Sequence, residues 1–265
     1  MPGGRSSGGS GQHFLAGEWL ARELVAQAGV GRSDLVVEIG AGDGRLTRAL
    51  AQRAGEVVAV ETDARLLARA RRRLAGTANV TFVHGDALAL PLPEVPFRVL
   101  ANLPFGITSA VLRMLLDDPR TPLHQADLVV AEGAARKRTG GPRSRSSAYW
   151  GAWYEFRITR RLPARCFRPP PRVDAAVLRI SRRAAALVPV AQHESYAALL
   201  RAAYIRAQSP LTEALGPALA PARLRRLART LPRLAGVTPV DLAPRDWAAV
   251  HAAISAGPST AVRPR

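Results

Sequence analysis

The sequence predicts an α/β fold, a parallel sheet with helices on both faces, followed by a small all-α domain. Short runs rich in β-branched residues alternate with segments of helical periodicity as far as residue 131, and this alternation is typical of parallel sheets. After residue 184 apolar residues recur at helical spacing only. The chain has 265 residues and one cysteine, so it can bury a core and has no disulfide framework.

The predicted elements follow in chain order. A first helix ends at Gly29, and the predicted helices of the α/β part are 14–28, 46–53, 64–74 and 107–116. The predicted strands are 35–39, 57–61, 80–83, 98–101 and 127–131, with two late strands, 153–159 and 174–180, forming an antiparallel edge. The basic segment 136–147 has no apolar period and is predicted to be a mobile loop. Later helices are predicted at 193–206, 211–219, 221–230 and 239–254.

Composition suggests the domain boundaries. The Gly/Ser-rich residues 1–10 predict a disordered tail, and the remaining divisions are an α/β domain at 11–183, a helical domain at 184–256 and a tail at 257–265. The N-terminus lacks the apolar region of a secretory signal, and no apolar run reaches the length of a membrane span. We therefore expect a cytoplasmic protein.

The net charge of +18 is confined to the second half of the chain. Residues 1–132 carry 14 basic and 14 acidic side chains, whereas 133–183 carry 14 and 2, and 184–265 carry 10 and 4. A localised basic surface indicates a polyanionic partner, nucleic acid first and an anionic membrane second. A solvated basic face is the alternative interpretation.

A glycine-rich turn follows the first predicted strand, in the sequence VVEIGAGDG at 36–44. Ligands of open α/β sheets bind at the carboxyl ends of strands, where this turn lies. Glu61 and Asp86 end the next two strands. An acid at the position of Glu61 suits two ribose hydroxyls, in NAD and in S-adenosylmethionine alike, and Asp86 can accept the amine of an adenine. The ordered set favours S-adenosylmethionine over NAD.

The fourth strand ends in Asn102-Leu103-Pro104-Phe105. The amine of an aromatic base is a poor nucleophile because its lone pair is delocalised into the ring. The Asn102 oxygen and a backbone carbonyl can accept both of its N–H groups and direct the lone pair toward a methyl donor. Pro104 fixes the turn, and the Phe105 ring can stack on a base.

With these motifs the chain resembles the rRNA adenine N6-methyltransferases, and among them the actinobacterial branch of the erythromycin-resistance (Erm) 23S rRNA methyltransferases. The resemblance covers about residues 11–183 and, more weakly, the rest of the chain. It rests on motifs that occur in the family's order: GQHFL at 11–15, VVEIGAGDG at 36–44, Glu61, GDA at 85–87, NLPF at 102–105, EGAARKRTG at 132–140, WGAWYEF at 150–156 and FRPPPRVD at 167–174. It implies a Rossmann-like, seven-stranded methyltransferase sheet with a helical C-terminal domain.

The resemblance also implies the site. The implied cofactor-binding residues are His13, Leu15, Gly40, Ala41, Gly42, Glu61, Thr62, Asp86, Ala87 and Asn102. The implied catalytic residues are Asn102, Leu103, Pro104, Phe105 and Phe167, the two phenylalanines clamping the target base from its two faces. His13 departs from the family's usual Asn, and Phe105 stands where many members have Tyr.

Other side chains complete the expectations. Seven cations are expected to hold RNA phosphates: Arg136, Lys137, Arg138, Arg143, Arg145, Arg168 and Arg172. Trp19, Trp153 and Trp247 are interpreted as core residues. The histidines lack paired ligands, so no metal site is predicted.

The resemblance implies methyl transfer from S-adenosylmethionine to N6 of one adenine in the peptidyl-transferase loop of 23S rRNA. In the family this modification gives resistance to macrolides, lincosamides and streptogramin B. We expect a monomer that acts on free rRNA or an assembling subunit. Three alternatives stay open: a 16S rRNA adenine dimethyltransferase of ribosome assembly, a non-enzymatic RNA-binding factor, and an NAD-dependent oxidoreductase.

Overall fold

The computed structural model describes residues 12–141 and 143–255. The two predicted tails, Gly11 of the first motif and Pro142 of the basic segment lie outside the described residues. By its contacts the chain forms two compact units. The first contains the described residues up to Arg136 and Phe156–Arg182, and the second contains Lys137–Glu155 and the described residues from Arg183 onward. The domain boundary at 183/184 stays a prediction; the contacts group 137–155 with the second unit.

A seven-stranded sheet forms the first unit's centre, which confirms the predicted α/β fold. Its strands are β2 (Leu35–Ile39), β3 (Glu56–Glu61), β4 (Val80–His84), β5 (Phe97–Asn102), β6 (Leu123–Ala131), β7 (Tyr154–Leu162) and β9 (Ala175–Arg182). Their order is β4-β3-β2-β5-β6-β9-β7. Strands β2 to β6 pair in parallel and β9 pairs antiparallel with β6. The order reverses between β2 and β5, so a ligand crevice is expected at their carboxyl ends.

Two more short strands, β1 (Phe14–Leu15) and β8 (Phe167–Arg168), pair with each other antiparallel. The helix predicted over 14–28 is therefore wrong in its first turn, because these backbone groups bond to β8 instead. Helix α1 runs Glu18–Ala28 and ends at Gly29, whose φ of +68° suits glycine. The other helices of this region are α2 (Arg45–Ala51), α3 (Ala64–Arg73), α4 (Thr108–Leu116) and α5 (Glu132–Thr139).

The second unit is mainly helical. Its helices are α6 (Arg145–Trp150), α7 (His193–Ala203), α8 (Leu211–Leu215), α9 (Pro221–Thr230), α10 (Pro232–Ala235) and α11 (Pro244–Ser255). Large aromatic side chains fill its core, including Trp153, whose Nε1 donates to the Val188 carbonyl at 2.9 Å. Tyr196 is also buried and donates from its hydroxyl to the Ala148 carbonyl at 3.0 Å.

The basic segment 136–147 is not one long loop, and that prediction is wrong. It contains the end of α5 and the start of α6, and α6 is capped by Ser144, whose Oγ accepts from the Ser147 N–H at 3.3 Å. Ala135 is the one buried residue of α5. A polar helix of this kind has no apolar stripe, so periodicity could not reveal it.

Exposure corrects one further expectation. Trp153 and Trp247 lie in the core as expected, but 56% of Trp19 is exposed.

Within the two described ranges, no helix combines the length and the apolar character that a membrane crossing requires.

Candidate active site

The glycine-rich turn lies at the carboxyl end of β2, close to the neighbouring strand. Gly40 and Ala41 donate from their N–H groups to the Val60 carbonyl at 2.9 and 3.0 Å. Gly42 has a φ of +56°, and a Cβ there would lie 3.1 Å from Cε1 of Phe14. A side chain at this position would thus be both strained and crowded, so glycine lets β1 lie against the turn.

Glu61 at the end of β3 is buried and fixed by three donors. Its Oε2 accepts from the Gly42 N–H at 2.8 Å, and its Oε1 accepts from the Asp63 N–H at 3.0 Å and from the Thr62 hydroxyl at 3.3 Å. The carboxylate therefore joins the glycine turn to the end of β3. One lone pair remains on Oε2, and it can accept from a hydroxyl of a ribose.

Glu38 is a site residue that the sequence reasoning missed. It is 1% exposed, lies beside the pocket, and neither carboxylate oxygen makes a hydrogen bond of good geometry within the described residues. Burial raises the pKa of its carboxyl to about 8; the nearby hydroxyl and backbone of Thr47 lower it by less, and the charges of Glu61 and Asp43 raise it slightly. An acid inside the apolar run of β2 was the available signal. A buried carboxylate without a partner fits a cationic ligand group.

Asp86 and Ala87 follow β4 at the rim of the same pocket. Oδ1 of Asp86 accepts from the Leu88 N–H at 2.9 Å, and the side chain is exposed. The structure gives Oδ2 no partner among the described residues, so it can accept from an exocyclic amine. This arrangement fits the adenine of a nucleoside cofactor.

Asn102 ends β5, and its side-chain amide is oriented by the first described segment of the chain. Its Nδ2 donates to the His13 carbonyl at 2.7 Å, which leaves Oδ1 as an acceptor without a partner among residues 12–141 and 143–255. Oδ1 and Nδ2 are distinguished by this hydrogen bond. Oδ1 of Asn102 can therefore accept a hydrogen bond from a substrate N–H, whereas Nδ2 already donates one of its N–H groups to His13.

Of the residues that follow Asn102, one lies in the core and the next two lie at or near the pocket. Leu103 is buried and donates from its N–H to the Val129 carbonyl at 3.2 Å. Pro104 lines the pocket and precedes a single 3-10 turn, Phe105–Ile107. The half-buried Phe105 ring lies beside the imidazole of His13, with centroids 5.9 Å apart. Leu103 thus anchors the turn, and Phe105 is placed near the pocket's edge.

These elements enclose one pocket of about 850 Å³ that opens to solvent. It brings together all the implied cofactor residues and Pro104: His13, Leu15, Gly40, Ala41, Gly42, Glu61, Thr62, Asp86, Ala87, Asn102 and Pro104. The acids along this pocket fit the successive parts of S-adenosylmethionine. Glu38 suits its ammonium group, Glu61 its ribose and Asp86 its adenine. The described residues contain no group of three His, Cys, Asp or Glu that could hold a metal ion.

Phe167 does not lie where a base clamp requires it. It is 0% exposed, and it belongs to the apolar core of the first unit. It pairs through β8 with Leu15 of β1, which is buried in the same core. The expected clamp from this residue is therefore corrected: in this structure Phe167 supports the β1–β8 pair, and no face of its ring is open to a base.

The seven cations expected to hold RNA differ in their surroundings. Lys137, Arg143, Arg145, Arg168 and Arg172 are exposed. Of these, Arg168 donates from Nη1 to the Arg165 and Phe167 carbonyls at 3.3 and 3.1 Å. Arg136 is exposed but forms an ion pair with Glu132 at 2.9 Å. Arg138 lies over the Trp150 ring at 4.9 Å and donates to Ser147 Oγ at 3.2 Å. Arg138 is thus held by its own unit, and the exposed cations are the better candidates for phosphates.

A parallel sheet with a glycine turn, a ribose acid, an adenine acid and an Asn-Leu-Pro-Phe strand end defines a Rossmann-like, S-adenosylmethionine-dependent methyltransferase. Comparison with known proteins identifies the family. The sequence profile described as "Ribosomal RNA adenine dimethylase" matches residues 8–251, and the chain belongs to this family.

Individual relatives agree with this assignment. An rRNA adenine N-6-methyltransferase of Bacillus licheniformis is 32% identical over 248 residues, 93% of this chain and 86% of that protein. The mycinamicin-resistance protein MyrB of Micromonospora griseorubida is 37% identical over 73% of this chain and 61% of its own length. The crystal structure of the 23S rRNA methyltransferase ErmE superposes with a TM-score of 0.79 at 28% identity, covering 91% of this chain and 99% of that one. A Plasmodium falciparum dimethyladenosine transferase, at 19% identity and a TM-score of 0.75, shares the fold.

Proposed function

We propose that this chain transfers a methyl group from S-adenosylmethionine to N6 of one adenine in the peptidyl-transferase loop of 23S rRNA, and that the modification gives resistance to macrolides, lincosamides and streptogramin B. The main support for the proposal is Oδ1 of Asn102, a hydrogen-bond acceptor that is available to a substrate. It lies at the carboxyl end of β5, where the sheet order reverses. Membership of the rRNA adenine dimethylase family supports the substrate class.

The chemistry required of the chain is mainly positioning. S-adenosylmethionine, when bound, supplies a methyl group on a positively charged sulfur. Asn102 Oδ1 and a backbone carbonyl of the 102–104 turn accept the two N–H groups of the adenine amine, so that its lone pair points out of the ring plane toward the donor. An N–C bond forms, the sulfur–methyl bond breaks, and one amine proton leaves to water.

The first described segment contributes to this positioning. Because the His13 carbonyl accepts from Nδ2 of Asn102, the amide cannot rotate to present its N–H groups to the substrate amine. Phe105 provides the stacking surface for the target base, and Phe167 supports it indirectly by holding β1.

Relatives support 23S rRNA as the substrate over 16S rRNA. ErmE is a 23S rRNA methyltransferase, and MyrB is a mycinamicin-resistance protein. We further propose that the chain acts as a cytoplasmic monomer on free rRNA or an assembling subunit. The exposed cations Lys137, Arg143, Arg145, Arg168 and Arg172 are proposed to hold RNA phosphates.

Primer extension on rRNA from cells that express the chain tests the proposal. We expect N6-methylated adenosine in the peptidyl-transferase loop of 23S rRNA, detected as a reverse-transcription stop if two methyl groups are added and by mass spectrometry if one is. We also expect a raised inhibitory concentration of erythromycin, and both effects are absent with Asn102→Ala. A stop confined to 16S rRNA would identify the assembly dimethyltransferase instead. RNA binding without any label transfer from methyl-labelled cofactor would identify a non-enzymatic factor.

A further inference from the structure

Trp19, at the start of α1, is exposed although the other tryptophans are buried. Its exposed fraction is 56%, against 1% for Trp150 and Trp153 and 0% for Trp247. An indole on the surface forgoes the large gain in free energy that its burial would bring. The packing of the first unit therefore does not explain why this residue is a tryptophan.

The indole lies against the backbone of the residue two positions before it. A Cβ on Gly17 would lie 2.7 Å from Cδ1 and 2.9 Å from Nε1 of Trp19, so the five-membered ring rests directly on the Gly17 backbone. Gly17 has an ordinary extended φ of −153°, so it is the missing side chain of glycine that leaves room for the indole in this orientation.

Trp19 belongs to the first of two chain segments, 12–19 and 167–173, which together we call the strap surface. The β1–β8 pair joins them, and two further hydrogen bonds extend the contact: Ala16 N–H to the Cys166 carbonyl at 2.8 Å and His13 Nδ1 with the Pro169 carbonyl at 2.8 Å. Gln12–Leu15 of this surface line the candidate cofactor pocket. The strap surface therefore borders the site where the target base must enter.

The charge of the strap surface favours a polyanion. Its second segment carries the exposed Arg168 and Arg172 and no acid, and Val173 beside them is 53% exposed. The acid of its first segment, Glu18, forms ion pairs with Arg22 and Arg48. Cations that follow a phosphate backbone, next to an aromatic face that accepts a base, are the combination that binds unpaired nucleotides. Sequence-specific RNA recognition uses such splayed bases in loops.

We propose that Trp19 is a stacking platform for an unpaired nucleotide that flanks the target adenine, with Arg168 and Arg172 holding the adjoining phosphates. The inference rests on the proposed function and adds a determinant of RNA specificity to it. Trp19 does not touch the reacting atoms. It acts on substrate binding, so its removal raises KM for RNA and leaves kcat within about twofold.

The experiment uses the full chain, S-adenosylmethionine and a transcript of the peptidyl-transferase loop of 23S rRNA. Trp19→Ala is expected to raise KM and Kd for the transcript by roughly 5- to 100-fold, the range for loss of one base–aromatic stack, and Trp19→Phe is expected to restore most of the affinity. Val95→Ala is the matched control, because Val95 is also 56% exposed but lies outside the strap surface.

Fluorescence provides a second readout. Since the other three tryptophans are buried, quenching of emission by the transcript and a fall in acrylamide accessibility report on Trp19, and both are expected to vanish in Trp19→Phe. If the wild type methylates the transcript while Trp19→Ala shows unchanged KM, Kd and folding, the inference fails and the proposed function stands. If the wild type binds the transcript but methylates no adenine, the proposed function fails together with it. A Trp19→Ala protein that loses a protein partner and keeps its RNA affinity would assign this surface to protein recognition and overturn the proposal.

Discussion

Nδ2 of Asn102 donates a hydrogen bond to the main-chain oxygen of His13 across 2.7 Å. This bond connects residues 89 positions apart and decides which end of the amide faces the pocket. The family's usual Asn is replaced by His13 in this chain. The replacement leaves the contact to Asn102 unaffected, because that contact uses the backbone oxygen, which any residue supplies. The imidazole of His13 makes a different contact, to the Pro169 carbonyl.

Gly42→Ala is expected to weaken cofactor binding strongly. The new Cβ would lie 3.1 Å from the Phe14 ring at a φ of +56°, so both the turn and β1 must shift. Isothermal titration with S-adenosylmethionine measures the loss. Gly76→Ala is the matched control, because Gly76 has a φ of +82° with nothing within 4 Å of its Cβ position. It should lose about 1–2 kcal/mol of stability with cofactor affinity unchanged. Equal affinities in the two variants would contradict the role given to the turn.

Phe167→Ala and Phe105→Ala are expected to fail in different ways. Phe167 is fully buried, so its truncation should lower the free energy of unfolding by about 3–5 kcal/mol. Phe105 is half-buried beside His13, so its truncation should reduce methyl transfer with a smaller loss of stability. Urea denaturation and a methyl-transfer assay separate the two effects. A stable Phe167→Ala protein that is catalytically dead would restore Phe167 as a base clamp.

Glu38 is expected to make the cofactor-free protein less stable as pH rises. Its pKa is about 8 in the folded chain against an ordinary value of 4.5, so the folded state holds a proton that the unfolded state releases. Between these values the free energy of unfolding falls by about 1.4 kcal/mol per pH unit from this group. Glu38→Gln should remove that slope and be more stable than the wild type at pH 8. Parallel stability curves of the two proteins from pH 5 to 8 would refute the assignment.

The exposed arginines of the basic segment are expected to govern the salt dependence of RNA binding. Arg143→Gln with Arg145→Gln should weaken binding and reduce the slope of log K against log salt by about one unit for each phosphate that is no longer neutralised. Arg138→Gln is the comparison, because Arg138 lies over Trp150 and bonds to Ser147. It should lower the melting temperature with a smaller change in slope. Filter binding at several salt concentrations measures both slopes. An unchanged slope in the double variant would mean that the segment is a solvated surface and does not contact RNA phosphates.

The sequence predicted the parallel sheet well because β-branched runs and amphipathic helices alternate with clear periods. It did not predict β1, since two residues carry no period, or the polar helix α5, whose one buried residue is Ala135. Both depend on partners elsewhere in the chain or on capping.

For the site, the resemblance implied ten cofactor-binding residues, and the structure brings these ten together at one pocket; their binding of a cofactor stays a prediction. The resemblance could not show that the Phe167 ring turns into the core or that Trp19 stays outside it, because burial depends on the packing of distant segments. Glu38 was missed although its acid within an apolar strand was visible in the sequence.

The most direct test of the account combines purified chain, methyl-labelled S-adenosylmethionine and deproteinised 23S and 16S rRNA, with mass spectrometry of the labelled nucleoside. We expect N6-methylated adenosine at one position of the peptidyl-transferase loop of 23S rRNA. We also expect Asn102→Ala to lower methyl transfer by about 100-fold or more, with cofactor affinity largely kept. Asn79→Ala, which removes an amide that donates to the Ala51 and Ala54 carbonyls, should lower stability and keep turnover per folded molecule. Label only in 16S rRNA, or undiminished transfer by Asn102→Ala, would contradict the account.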